Sequence, residues 1–196
     1  MNDMTEVPYW ADRMPQNEPN AEGVAEHLGG HYGYTNMDTP TFDYLVKRFG
    51  IQSMVDIGCG PGGMVDYAKS RGLAAIGIDG DLNMMRDGII IHDFTTGPFE
   101  IKADLIWCVE FVEHVEAKYV KNILDSFKGG KYLLLTHAIP GQGGKHHVNL
   151  QESSYWMRKL THDWMLDHDA TDYIRANTKI IPYISRTAMV WQRKAA

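Results

Sequence analysis

Ser53-Met54-Val55-Asp56-Ile57-Gly58-Cys59-Gly60-Pro61-Gly62-Gly63 decides how the chain is read. It starts as a short apolar run, the form taken by a buried parallel strand, and breaks into a glycine-rich turn. Met64 to Arg71 follows with helical character, and Gly72 stands where a helix C-cap belongs. Strand, glycine turn and helix make a nucleotide-binding corner. Glycines let a ligand approach the backbone, and the helix start presents free N–H groups.

The pattern around the corner narrows the ligand. Gly58, Gly60 and Gly63 satisfy G-x-G-x-x-G, and Asp79 ends a second apolar run, Ala74 to Ile78, about 20 residues on. Those features admit a dinucleotide. Asp56 pulls away from it, because a carboxylate two residues before the first glycine suits a cationic amine rather than a pyrophosphate. Asp93 ends a third run, Ile89-Ile90-Ile91-His92.

Four segments together carry a resemblance. Val55-Asp56-Ile57-Gly58-Cys59-Gly60-Pro61-Gly62, Gly77-Ile78-Asp79, His92-Asp93-Phe94 and Ala103 to Val115 resemble, in order and spacing, the four motifs of the class I S-adenosylmethionine-dependent methyltransferases. The resemblance spans roughly residues 40 to 137. It implies a doubly wound, Rossmann-like α/β fold with a mostly parallel, seven-stranded sheet and an antiparallel last strand. It implies S-adenosyl-L-methionine as cofactor. Asp56, Gly58, Cys59 and Gly60 would line its methionine and sulfonium part. Asp79, continued by Gly80, would hold the ribose diol, and Asp93 and Phe94 the adenine. Val109 and Glu110 follow the fourth strand at the ligand edge of the sheet. Two other readings stand beside methyl transfer: an NAD-dependent oxidoreductase, and a non-catalytic binding module of the same fold. The oxidoreductase reading lacks a second mononucleotide half.

Alternating strands and helices support a parallel sheet with crossover helices. Residues 1–38 read as an irregular arm that covers the cofactor site, and residues 39–196 as the catalytic domain. Thr39 caps the first helix and Pro40 opens it. Later strands are expected near Leu105 to Val109, Lys131 to Thr136, Trp164 to Leu166 and Ala188 to Gln192. Helices are expected over Ala117 to Phe127, Ser153 to Leu160, with Ser153 as cap, and Ala170 to Asn177.

A net charge of -6 disfavours nucleic acid as substrate, leaving a small-molecule acceptor. The two cysteines form no C-x-x-C, and no apolar run is long enough to span a bilayer, so a cytoplasmic enzyme is expected. The sequence does not speak to oligomeric state. A hydroxyl acceptor needs a base, and histidines supply one near neutrality. His146 and His147, in the glycine-rich loop Gly141 to Asn149, and His114 are the candidates, with methylation at oxygen the expectation that follows. His137, ending the fifth strand, faces the same edge. The loop is expected to close as a lid. The histidine spacing matches no recognised ligand pattern, so no metal centre is expected.

Overall fold

Val55 and Ile57 point to one side of their strand and Met54 to the other, and both sides are buried. A strand that is apolar on both faces must lie inside a sheet covered twice, and this one does. The computed structural model describes residues 25, 27–28, 33–178 and 181–195. Most of the arm expected to cover the cofactor site lies outside the described residues.

In chain order the elements are α1 (Thr39–Phe49), β1 (Ser53–Ile57), α2 (Gly63–Ser70), β2 (Ala74–Asp79), β3 (Ile89–Ile91), β4 (Ala103–Cys108), α3 (Val120–Phe127), β5 (Gly130–Leu135), α4 (Ser153–Leu160), β6 (Trp164–Leu166), α5 (His168–Asn177), α6 (Pro182–Thr187) and β7 (Met189–Arg193). The seven-stranded sheet runs β3-β2-β1-β4-β5-β7-β6. From β3 to β5 all pairings are parallel; β7 runs antiparallel to both β5 and β6. The fold class, strand count and antiparallel last strand are as the sequence predicts.

Two cores flank the sheet. Val120, Ile123 and Phe127 of α3, with Trp156 and Leu160 of α4, pack on Val55, Ile57, Leu133 and Leu135. Phe42 and Leu45 of α1, Val65 and Ala68 of α2, Ile174 of α5 and Ile184 of α6 pack on Met54, Leu105 and Leu134 opposite. Each fully buried side chain of this size is worth about 1.5–3 kcal/mol. Strand order reverses between β1 and β4. That switch point opens a crevice at the strands' carboxyl ends, where Gly58 and Glu110 sit.

Local details depart from the sequence reading. The cap of α1 is Asp38, not Thr39: its carboxylate accepts from the Thr41 N–H at 3.1 Å. Ser153 caps nothing; its hydroxyl instead bonds the His137 ring at 3.0 Å. A 3-10 turn, Ala117–Tyr119, replaces the first turn of the helix expected there. α6 is not predicted, because six residues are too few to show a period, although Pro182 at its first turn is a start signal.

Candidate functional site

The turn after β1 is shaped by what Gly58 must avoid. Its φ is +73°, and a Cβ there would lie 2.3 Å from the Phe111 ring. Phe111, after β4, therefore packs directly on the backbone of the first motif. Cys59 turns inward instead. Its side chain is buried against Gly77, so the part of Cys59 that can line the cofactor site is its backbone.

Three carboxylates end β1, β2 and β3. Asp79 ties the corner together: Oδ2 accepts from the Gly60 N–H (2.8 Å) and Oδ1 from the Asp81 N–H (2.9 Å). Both Asp79 oxygens are thus engaged in shaping the corner. Asp81 caps the following turn through the Asn83 N–H at 2.8 Å. Asp56, beneath them in β1, is 4 % exposed. Burial first, then the Asp79 charge, push its carboxyl up to about 8. Asp93 accepts from His27 Nε2 at 2.9 Å and from the Thr95 N–H at 2.8 Å. Burial would raise Asp93, but these bonds outweigh it and hold it below the usual carboxylate range.

Of these carboxylates, Asp93 opens onto a cleft. Gly80, Asp93, Phe94, Phe111, His114 and His146 line it, together with His27 and Leu28 of the arm. Leu28 lies over Gly80 so closely that a Cβ there would come within 2.3 Å of its methyl group. Phe94, 4 % exposed, meets Phe111 edge-on with ring centroids 5.6 Å apart, giving the cleft an aromatic wall. Val109 is half-buried against the core on the helix α2 side of the sheet.

Glu110 holds φ +49°, a strained backbone for a residue with a Cβ. Its carboxylate accepts from the Thr136 hydroxyl (2.9 Å) and from Gln142 Nε2 (3.1 Å), so it braces β5 and the following loop. Glu113 is 0 % exposed; neither carboxylate oxygen makes a well-aligned hydrogen bond, and its nearest polar neighbours are the Glu110 carboxyl and the Ala138 backbone. Burial and then the Glu110 charge push it well above the carboxylate range.

The four expected histidines part company. His137 is 0 % exposed, with its ring bonded to Ser153 and to the Ala138 carbonyl; it belongs to the core and not to the active-site edge. His114 and His147 meet edge-to-face, centroids 4.9 Å apart. Burial and then His147 push His114 down to about 4, so its ring is neutral at pH 7. Burial also lowers His147. His146 adopts φ +49°, which sends the adjacent pair to different places: His146 lines the cleft with Nε2 buried and unpartnered, while His147 stays beside His114.

The loop Gly141 to Asn149 is not a free flap. The Val148 and Asn149 N–H groups both donate to the Glu113 carbonyl at 3.0 Å, and Gln142 joins Glu110 to Arg186. Sequence reasoning saw the glycines and missed these anchors, since glycine content reports freedom in an isolated chain. It also missed Phe111 as a wall and His27 as a partner of Asp93. Phe111 carried a signal, as it lies within the fourth motif; His27 carried none.

A methyltransferase-domain family model matches residues 14–196. A solved SAM-dependent methyltransferase from Archaeoglobus fulgidus superposes with TM-score 0.55 at 16 % identity, covering 79 % of this chain and 92 % of that one. A Pyrococcus horikoshii protein superposes at 0.60 and 15 %, covering 88 % and 100 %. The O-methyltransferase from a polyketide multienzyme of Brevibacillus brevis, solved with S-adenosyl-L-homocysteine, superposes at 0.51 and 17 %, covering 73 % and 67 %. No curated protein matches the sequence. No helix among the described residues is long and apolar enough to cross a membrane.

Proposed function

The chain belongs to the methyltransferase-domain family, and from that premise we propose that it moves the methyl group of S-adenosyl-L-methionine to an oxygen of a small-molecule acceptor. The observation that carries the cofactor is the pair Asp56 and Asp79 in one buried corner. Two acids so placed do not both ionise easily: Asp56 keeps its proton near neutrality, and a bound cation favours its release whereas a pyrophosphate opposes it. The cofactor brings two cations, an ammonium and a sulfonium, and a ribose diol whose hydroxyls are suited to donate to a carboxylate such as Asp79. The NAD reading fails on the same charge argument and on family membership.

Bound there, the cofactor supplies an activated methyl group that a nucleophile displaces in line. The chain's own part is to hold and exclude. Phe94 and Phe111 close one wall of the cleft against water, and Asp93 offers an acceptor to the adenine amino group. An acceptor hydroxyl must lose its proton as the new bond forms. His146 is the group to take it, because its Nε2 is buried in the cleft without a partner. His114 and His147, which the sequence offered equally, face each other instead. The net charge of -6 disfavours nucleic acid and supports a small-molecule acceptor, and the likeness to the Brevibacillus O-methyltransferase supports oxygen as the atom methylated. Two free buried thiols, Cys59 and Cys108, fit a cytoplasmic setting. The arm supports its expected covering role through His27 and Leu28, its described residues in the cleft.

Transfer of isotope-labelled methyl from the cofactor to paired hydroxyl- and amine-bearing acceptors tests the reading. The hydroxyl member should be methylated, and His146→Ala should slow turnover roughly 10²–10⁴-fold with cofactor affinity unchanged. Full turnover in that variant would remove His146 as base, and methylation of amines alone would remove the oxygen assignment.

A further inference from the structure

We propose that Glu113, His114 and His147 form a binding site for a divalent transition-metal ion beside the cofactor cleft. One ligand atom from each lies within 4.8 Å of the other two. The donors come from two segments that the fold brings together: the turn Val112–His114 after β4 and the loop after β5.

The strongest sign is Glu113. A carboxyl at 0 % exposure with no well-aligned hydrogen bond, whose nearest polar neighbours are a second acid, Glu110, and the Ala138 backbone, is a costly thing for a fold to keep. Removing a hydrogen-bonding group's water without replacement destabilises, and a charge more so. Two imidazoles at its side offer it no hydrogen bond, yet they and the carboxylate together make a nitrogen–nitrogen–oxygen donor set. That set suits borderline divalent ions such as Zn²⁺, Mn²⁺ or Fe²⁺, and the lack of a nearby thiolate disfavours softer ones.

The surroundings are arranged as metal ligands require. His147 Nδ1 bonds the Gln142 carbonyl at 3.1 Å, so it donates there and leaves its lone pair on Nε2. His114 likewise bonds the Lys145 backbone. Gly144 lets the His147 ring lie flat on the loop: a Cβ would come within 2.2 Å of the ring. The Glu113 carbonyl, holding Val148 and Asn149 at 3.0 Å, sets the distance between the two segments before any ion arrives. Four-coordinate donors stand about 3.4 Å apart, so the widest pair needs to close by at most about 1.4 Å. A small shift of the glycine-flanked loop that carries His147 covers that while keeping its bond to Gln142. Three protein donors also leave coordination positions for water or an acceptor oxygen.

The site is testable without any methyl transfer, so its failure and that of the function proposed above are separable. Untagged full-length protein, stripped by a chelator, is titrated with Zn²⁺ in a calorimeter and with Co²⁺ by absorbance. One equivalent should bind with a dissociation constant of about 1 μM or tighter. Glu113→Gln, His114→Ala and His147→Asn should each weaken it at least about tenfold. His162→Ala, at an exposed histidine, should leave it unchanged. Circular dichroism excludes any variant that does not fold; His147→Asn, in a half-buried loop position, then decides alone. Absence of stoichiometric binding in the wild type, or undiminished binding in folded His147→Asn, overturns the site.

Discussion

Replacing Asp56 by asparagine should stabilise the ligand-free protein and weaken cofactor binding. Asp56 is an acid whose folded value, about 8, lies far above its ordinary 3.8. Between those values the native state holds a proton that the unfolded chain has released. Stability therefore falls as pH rises through this window, by about 1.4 kcal/mol per pH unit at most. It is greatest below the ordinary value and reaches its floor above the raised one. Over the whole window the ceiling is roughly 6 kcal/mol, which water reaching the buried corner reduces. Asparagine has no proton to lose. The difference in unfolding free energy between Asp56→Asn and wild type should thus grow from pH 5 to pH 8 by about 2 kcal/mol or more, then level off. Urea unfolding at half-unit pH steps measures it, with the wild type as its own reference. Adding S-adenosylmethionine should reverse the order, since its cations favour the ionised acid, and the variant should bind at least tenfold more weakly. Parallel stability profiles for the two proteins would show that Asp56 does not carry this strain.

Asp79→Ala removes the acceptor of the Gly60 and Asp81 N–H groups and the partner of the ribose diol; calorimetry should show cofactor affinity down at least tenfold, at about 1.5–3 kcal/mol per charge-assisted bond. Asp38→Ala removes the buried cap of α1 and the acceptor of the Thr178 hydroxyl; thermal unfolding should register about 2 kcal/mol, the upper end for a cap, with cofactor affinity retained.

The sheet was legible because its signals are local. Each of the first four strands is a short apolar run followed within two residues by glycine or acid, or ended by one, and burial on both faces leaves little else such a run can be. The cofactor corner was legible for a related reason: Gly58, Asp79 and Asp93 each stand at a strand end, and strand ends meet at one edge. Where the reading slipped, the deciding contact was remote in sequence or one residue away. Asp38 rather than Thr39 caps α1 because cap identity turns on a single backbone angle, to which composition is blind.

The histidines show why the second half of the site needed coordinates. In sequence His114, His137, His146 and His147 are four equal imidazoles near one edge. Their roles separate on quantities that no spacing carries: complete burial of His137 beneath α4, and a positive φ at His146 that turns it away from its neighbour. The same holds for Glu110 and Glu113. Three residues apart on a turn, they look like one acidic pair, yet the Glu110 carboxylate is held by Thr136 and Gln142 while the Glu113 carboxyl makes no well-aligned hydrogen bond. A buried acid so poorly matched is a statement about what is missing from its surroundings. That makes Glu113 the residue at which ligand-free chemistry is least self-sufficient, and the first place where an added ion should change stability as well as rate.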